Sequence, residues 1–251
     1  MKNLKFGLKL WSINYDLIEE TKRLIEENIF NYIELMPIPD TKIAPFRKIE
    51  VPYIIHITSE NFGLNIADKK KERFNLETIN QCIKWADKLN AKYLILHPGF
   101  GEIEIAKNFL ERINDKRILI ENMPKVGINN ERMIGYTSEQ IKTLTGSRFG
   151  FCLDLNHAIK AAISLKENYK ERIKNFLKLK PKMFHISDGT LKEEKDRHLA
   201  IGEGEYDFNF LANCIKESRV DYVSLETPRT NLGSFKEDLE NLKKLKSFLF
   251  D

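Results

Sequence analysis

Short runs rich in β-branched and aromatic residues alternate with amphipathic helical patterns from one end of the chain to the other. Apolar residues recur at helical spacing between these runs, as in Leu76, Ile79, Ile83 and Ala86. The eight predicted strands span residues 6–10, 32–35, 53–56, 93–97, 118–121, 149–154, 183–186 and 222–226. Eight strand and helix units within 251 residues predict an α/β fold, a single (β/α)8 TIM barrel that takes in residues 1–251 as one domain.

An open, doubly wound sheet is the alternative architecture for the same alternation. Nucleotide-binding sheets of that kind carry a GxGxxG or P-loop motif after a strand, and neither motif follows a predicted strand here. The barrel is therefore the favoured prediction. Two of its helices are expected to begin with reciprocal capping boxes, Thr137 with Gln140 and Ser234 with Glu237.

The composition is that of a folded protein with a large core. Hydrophobic residues make up 42% of the chain, which excludes intrinsic disorder. Cys82, Cys152 and Cys214 are isolated and form no CxxC motif, so they exclude a cysteine zinc site and fit a reducing cytosol. The first residues lack a signal-peptide profile, and no apolar run approaches the roughly 18 residues of a membrane span. We expect a cytoplasmic protein with no membrane partner, and a monomer.

The net charge of +4 neither requires nor excludes an anionic partner. Residues 166–182 are the most basic segment, and the apolar residues there form a helical stripe. Such a charge run is typical of a solvated helix face, with a nucleic-acid surface as the less favoured alternative.

Polar side chains stand where six of the predicted strands end. Active sites of α/β barrels lie at the carboxyl ends of the strands, so we expect these side chains to lie at one rim. Taken one at a time, each fits a structural hydrogen bond or a helix cap. The set is His56, His97, Glu121, Asp154, His185 and Glu226, joined by His157 three residues after Asp154 and by Asp196 and His198 after the seventh strand.

All five histidines of the chain belong to this set, together with four carboxylates. Imidazoles and carboxylates without a thiolate are suitable ligands for divalent zinc or manganese. Zinc takes four or five ligands, so nine side chains indicate two or three ions.

The motifs that surround these residues resemble the endonuclease IV family, the family 2 apurinic/apyrimidinic (AP) endonucleases, within the xylose isomerase-like barrels. The resemblance runs from about Tyr53 to the C-terminus. In order, the motifs are His97-Pro98-Gly99, Glu121-Asn122, Cys152-Leu153-Asp154-Leu155-Asn156-His157, His185-Ile186-Ser187-Asp188, Asp196-Arg197-His198, Ile201-Gly202-Glu203-Gly204 and Leu225-Glu226-Thr227-Pro228.

The resemblance implies up to three Zn²⁺ ions, with Mn²⁺ as the alternative, in three ligand groups. The groups would be His56, His97 and Glu121; Glu121, Asp154, His185 and Glu226; and His157, Asp196 and His198. The family reaction, a step of DNA repair, is hydrolysis of the phosphodiester 5′ to an abasic site in DNA. Glu121 would orient or deprotonate the hydrolytic water. The most favoured phosphate-binding residue is Arg197, ahead of Lys182, Lys192, Lys195 and Arg229.

Two loops depart from the family pattern. Three positions after the strand-three histidine the family carries a bulky aromatic, where this chain has Ser59 followed by Glu60. The loop after strand two, residues 36–42, lacks the arginine that the family offers to DNA. These changes leave the metal ligands in place and weaken the case for DNA contact. Asp188 is expected either to accept a hydrogen bond from a ligand imidazole or to cap a loop.

Two other functions remain open on the sequence. A sugar or sugar-phosphate isomerase or epimerase would use a single metal on Glu121, Asp154, His185 and Glu226, with the two glutamates exchanging a proton. That chemistry needs none of His56, Asp196 and His198, so the nuclease is favoured. The other function is binding of modified nucleic acid, or action on another phosphoester, without AP cleavage.

Overall fold

Eight parallel strands close into a barrel in which each strand pairs with its sequence neighbours and β8 pairs with β1. The computed structural model describes residues 4–250. The predicted barrel is confirmed, and the predicted strand ends differ from the observed ones by one residue at most. The strands are β1 (Lys5–Trp11), β2 (Tyr32–Met36), β3 (Tyr53–His56), β4 (Leu94–Leu96), β5 (Ile118–Glu121), β6 (Gly150–Asp154), β7 (Met183–Ile186) and β8 (Tyr222–Leu225).

Eight α-helices surround the barrel within residues 4–250, and their distribution is uneven. Two of them follow β6, whereas β2 and β3 are joined by a single 3₁₀ turn, Phe46–Lys48. Prolines at 37, 39, 45 and 52 break any helix between β2 and β3, which explains the exception to the predicted alternation. The helices are α1 (Ile18–Glu26), α2 (Glu72–Lys88), α3 (Ile103–Leu110), α4 (Ser138–Thr145), α5 (Leu155–Leu165), α6 (Tyr169–Leu177), α7 (Phe208–Glu217) and α8 (Lys236–Phe250).

Side chains that face the barrel interior alternate along each strand with those that face the helices. On β1 the outward residues Phe6, Leu8 and Leu10 are buried against the helical layer. The inward Gly7 leaves room for Tyr32, whose hydroxyl hydrogen-bonds to the Ser224 hydroxyl at 2.9 Å. A Cβ on Gly7 would lie 2.4 Å from the Tyr32 ring, so only glycine fits this interior layer.

Neither of the two predicted capping boxes forms as a reciprocal pair. The Thr137 hydroxyl accepts from the backbone N–H of Gln140. The side-chain oxygen of Gln140, however, accepts from the backbone N–H groups of Gly135 and Tyr136 and not from that of Thr137. Before α8, Glu237 accepts from the backbone N–H of Thr230 and of Asn231 in the preceding loop. In both cases the glutamine or glutamate satisfies loop N–H groups instead of the helix cap.

The basic segment 166–182 follows α5 and covers all of α6 and the turn into β7. Its lysines at 166, 174, 178, 180 and 182 are exposed, while Ile173 and Phe176 are buried, as a solvated helix face requires. Lys182 precedes β7 and therefore lies at the amino end of the barrel. No helix within residues 4–250 is long and apolar enough to cross a membrane.

Candidate metal centre

Each of the eight strands, or the residue directly after it, contributes one titratable side chain to the carboxyl-terminal mouth of the barrel. Strand alternation places them in a single layer above the Gly7 and Tyr32 layer. Six of the eight are the strand-end residues predicted from the sequence. The layer consists of Lys9, Glu34, His56, His97, Glu121, Asp154, His185 and Glu226.

Glu121 is at the centre of this layer and is fully buried. Its Oε2 atom is 3.2 Å from Nε2 of His97 and 3.6 Å from Nε2 of His56. Its Oε1 atom is 3.1 Å from Nδ1 of His185. Each carboxylate oxygen therefore faces a different imidazole group, as a carboxylate that bridges two cations would.

A second cluster adjoins Glu121 and involves α5 and the loop after β7. The Asp154 carboxylate caps α5 by accepting from the backbone N–H of His157 at 2.6 Å, which brings the His157 ring to the mouth. Nε2 of His157 is 3.1 Å from Asp196 Oδ2, and Nε2 of His198 is 3.0 Å from Asp196 Oδ1. Residues far apart in the chain thus meet, as predicted.

The three predicted ligand groups come together with the spacing that a metal ion needs. Within each group, one ligand atom from every residue lies within 4.8 Å of the others. Glu121 Oε2 and Asp154 Oδ2 are buried and have no hydrogen-bond partner among the described residues. A buried carboxylate oxygen without a donor is costly unless a cation faces it, so these residues fit divalent metal ions.

The imidazoles are held by hydrogen bonds on their outer nitrogens. Nδ1 of His56 contacts the Ile57 carbonyl at 2.9 Å, and Nδ1 of His157 contacts the Asn122 carbonyl at 2.8 Å. Nδ1 of His97 contacts the Glu60 carboxylate at 3.1 Å. A carbonyl or carboxylate only accepts, so Nδ1 of each ring carries the proton and Nε2 is free for a metal.

The same contacts shift the acid–base properties of the cluster. Burial lowers the pKa of His97, but the Glu60 and Glu121 carboxylates outweigh it and the pKa rises to about 10. Burial raises the pKa of Asp154 to about 6, because His157 compensates only in part. Without metal the cluster therefore binds protons, which a metal ion must displace.

The sequence profile of the xylose isomerase-like TIM barrels matches residues 12–245. The probable endonuclease 4 of Mycoplasmopsis synoviae is 31% identical over 202 residues, which cover 72% of this chain and 68% of that protein. The chain belongs to the endonuclease IV family.

Solved structures of low sequence identity share the fold of this endonuclease IV family member. A D-tagatose 3-epimerase-like protein has a TM-score of 0.76 and 21% identity, over 98% of this chain and 97% of that one. Endonuclease IV from Thermus thermophilus has a TM-score of 0.71 and 17% identity, over 98% of both chains. Nuclease and epimerase barrels are thus similarly close in shape, and the choice between the two chemistries depends on the site.

In this family member the loop after β7 is organised by Asp188. Its carboxylate accepts from the backbone N–H of Gly202 and Gly204, both at 2.9 Å, and from that of Tyr206 at 3.3 Å. Of the two roles predicted for Asp188, the structure supports the loop cap. The loop that carries Asp196 and His198 is thereby closed onto the barrel rim.

The predicted phosphate-binding residues differ in their accessibility. Arg197 lies between two candidate ligands with 71% of its side chain exposed, 3.6 Å from Glu193. Arg229 is instead buried and paired with Asp238, and its Nη2 donates to the Lys9 carbonyl. The prediction for Lys182 is wrong, because Lys182 is at the opposite end of the barrel. Arg197 remains the predicted contact.

Lys9 and Glu34 were not predicted from the sequence. The first two predicted strands end on the apolar residues Leu10 and Leu35, and Lys9 and Glu34 lie one position earlier, inside β1 and β2. The alternation of inward residues could have revealed them, because Lys9 follows Gly7 and Glu34 follows Tyr32 at a spacing of two. Lys9 donates a hydrogen bond to Glu226, and its Nζ is 3.7 Å from Glu34.

The layer opens into a cavity of about 320 Å³. Lys9, His56, His97, His157 and Glu226 line it. Two exposed apolar residues of the loops, Phe62 and Ile128, also border it. The cavity therefore combines a polar floor with an apolar rim.

Proposed function

We propose that this protein is a zinc-dependent phosphodiesterase that hydrolyses the phosphodiester 5′ to an abasic site in DNA. The observation that carries the proposal is the cluster of His157, Asp196 and His198 beside the residues around Glu121. A single-metal isomerase would have no use for a third ligand group. Cleavage of a phosphodiester, whose transition state gathers charge on several oxygens, benefits from several cations.

The three ligand groups would hold the zinc ions, with manganese as the alternative. Bound ions would supply an activated water and stabilise the entering and leaving oxygens at phosphorus. Glu121, with one oxygen toward each of two ligand groups, would orient the attacking water or take up its proton. Arg197, exposed on the loop, contacts a phosphate of the substrate.

Exposed apolar side chains are concentrated in the loops at the carboxyl-terminal end of the barrel, and two of them border the cavity, which favours a macromolecular substrate. Six of the eight exposed large hydrophobic residues in the described chain lie in loops that follow strands. An apolar rim of this kind is typical of an interaction surface, and it suits unstacked bases next to an abasic step. The six are Ile13, Tyr15, Phe62, Ile128, Leu191 and Leu232.

The Lys9 contact argues against proton exchange by two glutamates. In an isomerase of this fold Glu226 would act with Glu121 as an acid–base pair, which needs a free carboxylate. Lys9 donates to Glu226 Oε1, the same oxygen that lies 3.2 Å from His185. An ammonium group on this oxygen stabilises the Glu226 carboxylate and makes Glu226 a weak base.

The decisive experiment combines cleavage with metal counting. Protein purified without chelator is incubated with a duplex that has one abasic site, and we expect a nick 5′ to the site that leaves a 3′-hydroxyl. Glu121→Gln should lower the rate by about 100-fold or more, since it removes the water-orienting carboxylate. Glu104→Gln, on the exposed face of α3, should leave it unchanged.

Mass spectrometry of the same protein should count about three metal ions per chain. Only one ion per chain, or binding of the duplex without cleavage, would contradict the proposal. The single domain, the monomeric state and the cytoplasmic location predicted from the sequence are part of this proposal, and sedimentation velocity would test the monomer.

A further inference from the structure

Glu34 is a fully buried carboxylate that belongs to none of the three proposed ligand groups. Its Oε2 atom lies 3.1 Å from Nε2 of His185. Its Oε1 atom has no hydrogen-bond partner among the described residues and lies 3.7 Å from Nζ of Lys9. Burial of an unpaired charge costs free energy, so a carboxylate this deep in the barrel requires a physical explanation.

The two nitrogens of His185 have different surroundings. Nδ1 faces Oε1 of Glu121 at 3.1 Å and Oε1 of Glu226 at 3.2 Å, the oxygens of one proposed ligand group. Nε2 faces Oε2 of Glu34 at 3.1 Å. Since an ionised carboxylate can only accept, Glu34 favours the tautomer that has its proton on Nε2 and its lone pair on Nδ1.

We propose that Glu34 is a positioning residue that holds His185 with Nδ1 toward the group of Glu121, Asp154 and Glu226. This inference rests on the metal-binding part of the proposed function and holds whatever the substrate is. A carboxylate on the outer nitrogen of a ligand imidazole orients the ring and increases its basicity. Glu60 has the same relation to His97, but Glu60 is partly exposed and Glu34 is not.

A competing role for Glu34 is that of a metal ligand. Glu34, His56, His185 and Glu226 offer ligand atoms within 4.8 Å of one another. Lys9 argues against this role, because its ammonium group already lies between Glu34 and Glu226. A divalent cation placed there would meet a fixed positive charge in a region of low dielectric constant. The arrangement therefore suits Glu34 as a hydrogen-bond acceptor and not as a ligand.

The test compares zinc binding by the whole protein with binding by Glu34→Gln and Glu34→Leu. Competition with a chromophoric chelator measures affinity, and mass spectrometry counts ions at saturation. We expect one site to weaken by about 10- to 100-fold, more in the leucine variant, with the number of ions at saturation unchanged. Glu26→Gln, an exposed glutamate on α1, is the matched control and should bind like the wild type. Unchanged affinity, or loss of one whole ion, would overturn the proposal.

A second measurement needs no variant. Nitrogen-15 NMR of the zinc-loaded and metal-free proteins reports which nitrogen of His185 carries the proton. We expect Nε2–H in the zinc-loaded protein, and a proton on Nδ1 there would overturn the proposal even if both variants failed to fold. If the protein takes up no zinc, the metal-binding part of the proposed function is wrong. The Glu34 inference is then tested on the metal-free protein, where a neutral His185 with its proton on Nδ1 would overturn it. Failure to cleave abasic DNA would contradict only the proposed substrate, because zinc affinity and the tautomer of His185 are measured without DNA.

Discussion

Lys160 donates a hydrogen bond of 3.0 Å from its buried ammonium group to the backbone carbonyl of Glu193. A second bond, of 2.8 Å, reaches the carbonyl of Thr190 in the same loop. Lys160 lies one turn after His157 on α5, and the loop it holds continues to Asp196 and His198. The lysine therefore joins the two elements that supply the third ligand group.

Replacement of this lysine should affect the third group selectively. In Lys160→Met the methionine keeps most of the volume but leaves the two loop carbonyls without a donor, so we expect weaker binding of one metal ion by about tenfold or more. Metal content after dialysis against a weak chelator measures this. Lys178→Met, at an exposed position beyond α6, should retain every ion. Full metal content in Lys160→Met would show that the two hydrogen bonds from Lys160 to the loop are not needed for metal binding.

Phe62 is an exposed aromatic residue at the cavity that can contact an unstacked base. It is 37% exposed in the loop after β3 and borders the cavity. Stacking of a base on an aromatic side chain contributes about 1–3 kcal/mol, so Phe62→Ala should weaken binding of an abasic duplex by about tenfold. Fluorescence anisotropy with the inactive Glu121→Gln background measures this. Phe250→Ala, on α8 and 50% exposed, is the control, and equal losses in both variants would contradict the prediction.

Removal of metal should destabilise the protein. Glu34, Glu121, Asp154 and Glu226 are buried close together, and their repulsion is relieved by bound cations. A ligand at 100 times its Kd contributes about 2.7 kcal/mol per site, which corresponds to a loss in Tm of about 5 °C or more on chelation. Differential scanning calorimetry with chelator, and then with excess zinc, tests this. A Tm that does not respond to either would contradict metal binding at the mouth.

Zinc affinity should rise with pH. His97 has a pKa of about 10 in the metal-free protein, above the ordinary 6.5, so a proton must leave before Nε2 binds a metal. Affinity at this group should increase by up to about tenfold per pH unit between about pH 6.5 and 8.5, measured with chelator-buffered zinc. A flat profile would contradict the proton displacement.

The raised pKa of His97 has the opposite effect on the stability of the metal-free protein, which should fall as the pH rises. Because the pKa of folded His97 lies above its unfolded value, protonation stabilises the fold fully below about pH 6.5. This contribution to the free energy of unfolding is lost as the pH rises through about 10. Urea denaturation of the chelated protein at several pH values would detect it, and Glu60→Gln should reduce it.

Gly7 should tolerate no side chain. An added Cβ would lie 2.4 Å from the Tyr32 ring and 2.6 Å from the Ser224 hydroxyl, both fully buried. Overpacking of a rigid core costs about 1–3 kcal/mol, so Gly7→Ala should lower the free energy of unfolding by that amount. Gly233→Ala is the control, because the nearest atom would be 3.5 Å away. Equal stability of the two variants in urea would contradict the tight packing.

Much of the site could be read from the sequence because barrel strands carry their functional residues at one end. His56, Glu121 and Asp154 each end a run of apolar residues, and parallel strands bring such ends to the same rim. Sequence signals for helix caps were less reliable, because other nearby groups compete for the same side chain. Gln140 matches a capping box by spacing, yet loop N–H groups take its side chain in the folded protein.

The sequence alone determined the barrel, the nine candidate ligands and the family, since each depends on periodicity or on motifs within a short stretch of chain. Only the tertiary structure revealed that Lys9 contacts Glu226, that Glu34 faces His185 and that Lys160 holds the loop of Asp196. These contacts join residues 33 to 217 positions apart. No local pattern specifies such partners, because they are set by closure of the barrel and by the distances across its mouth.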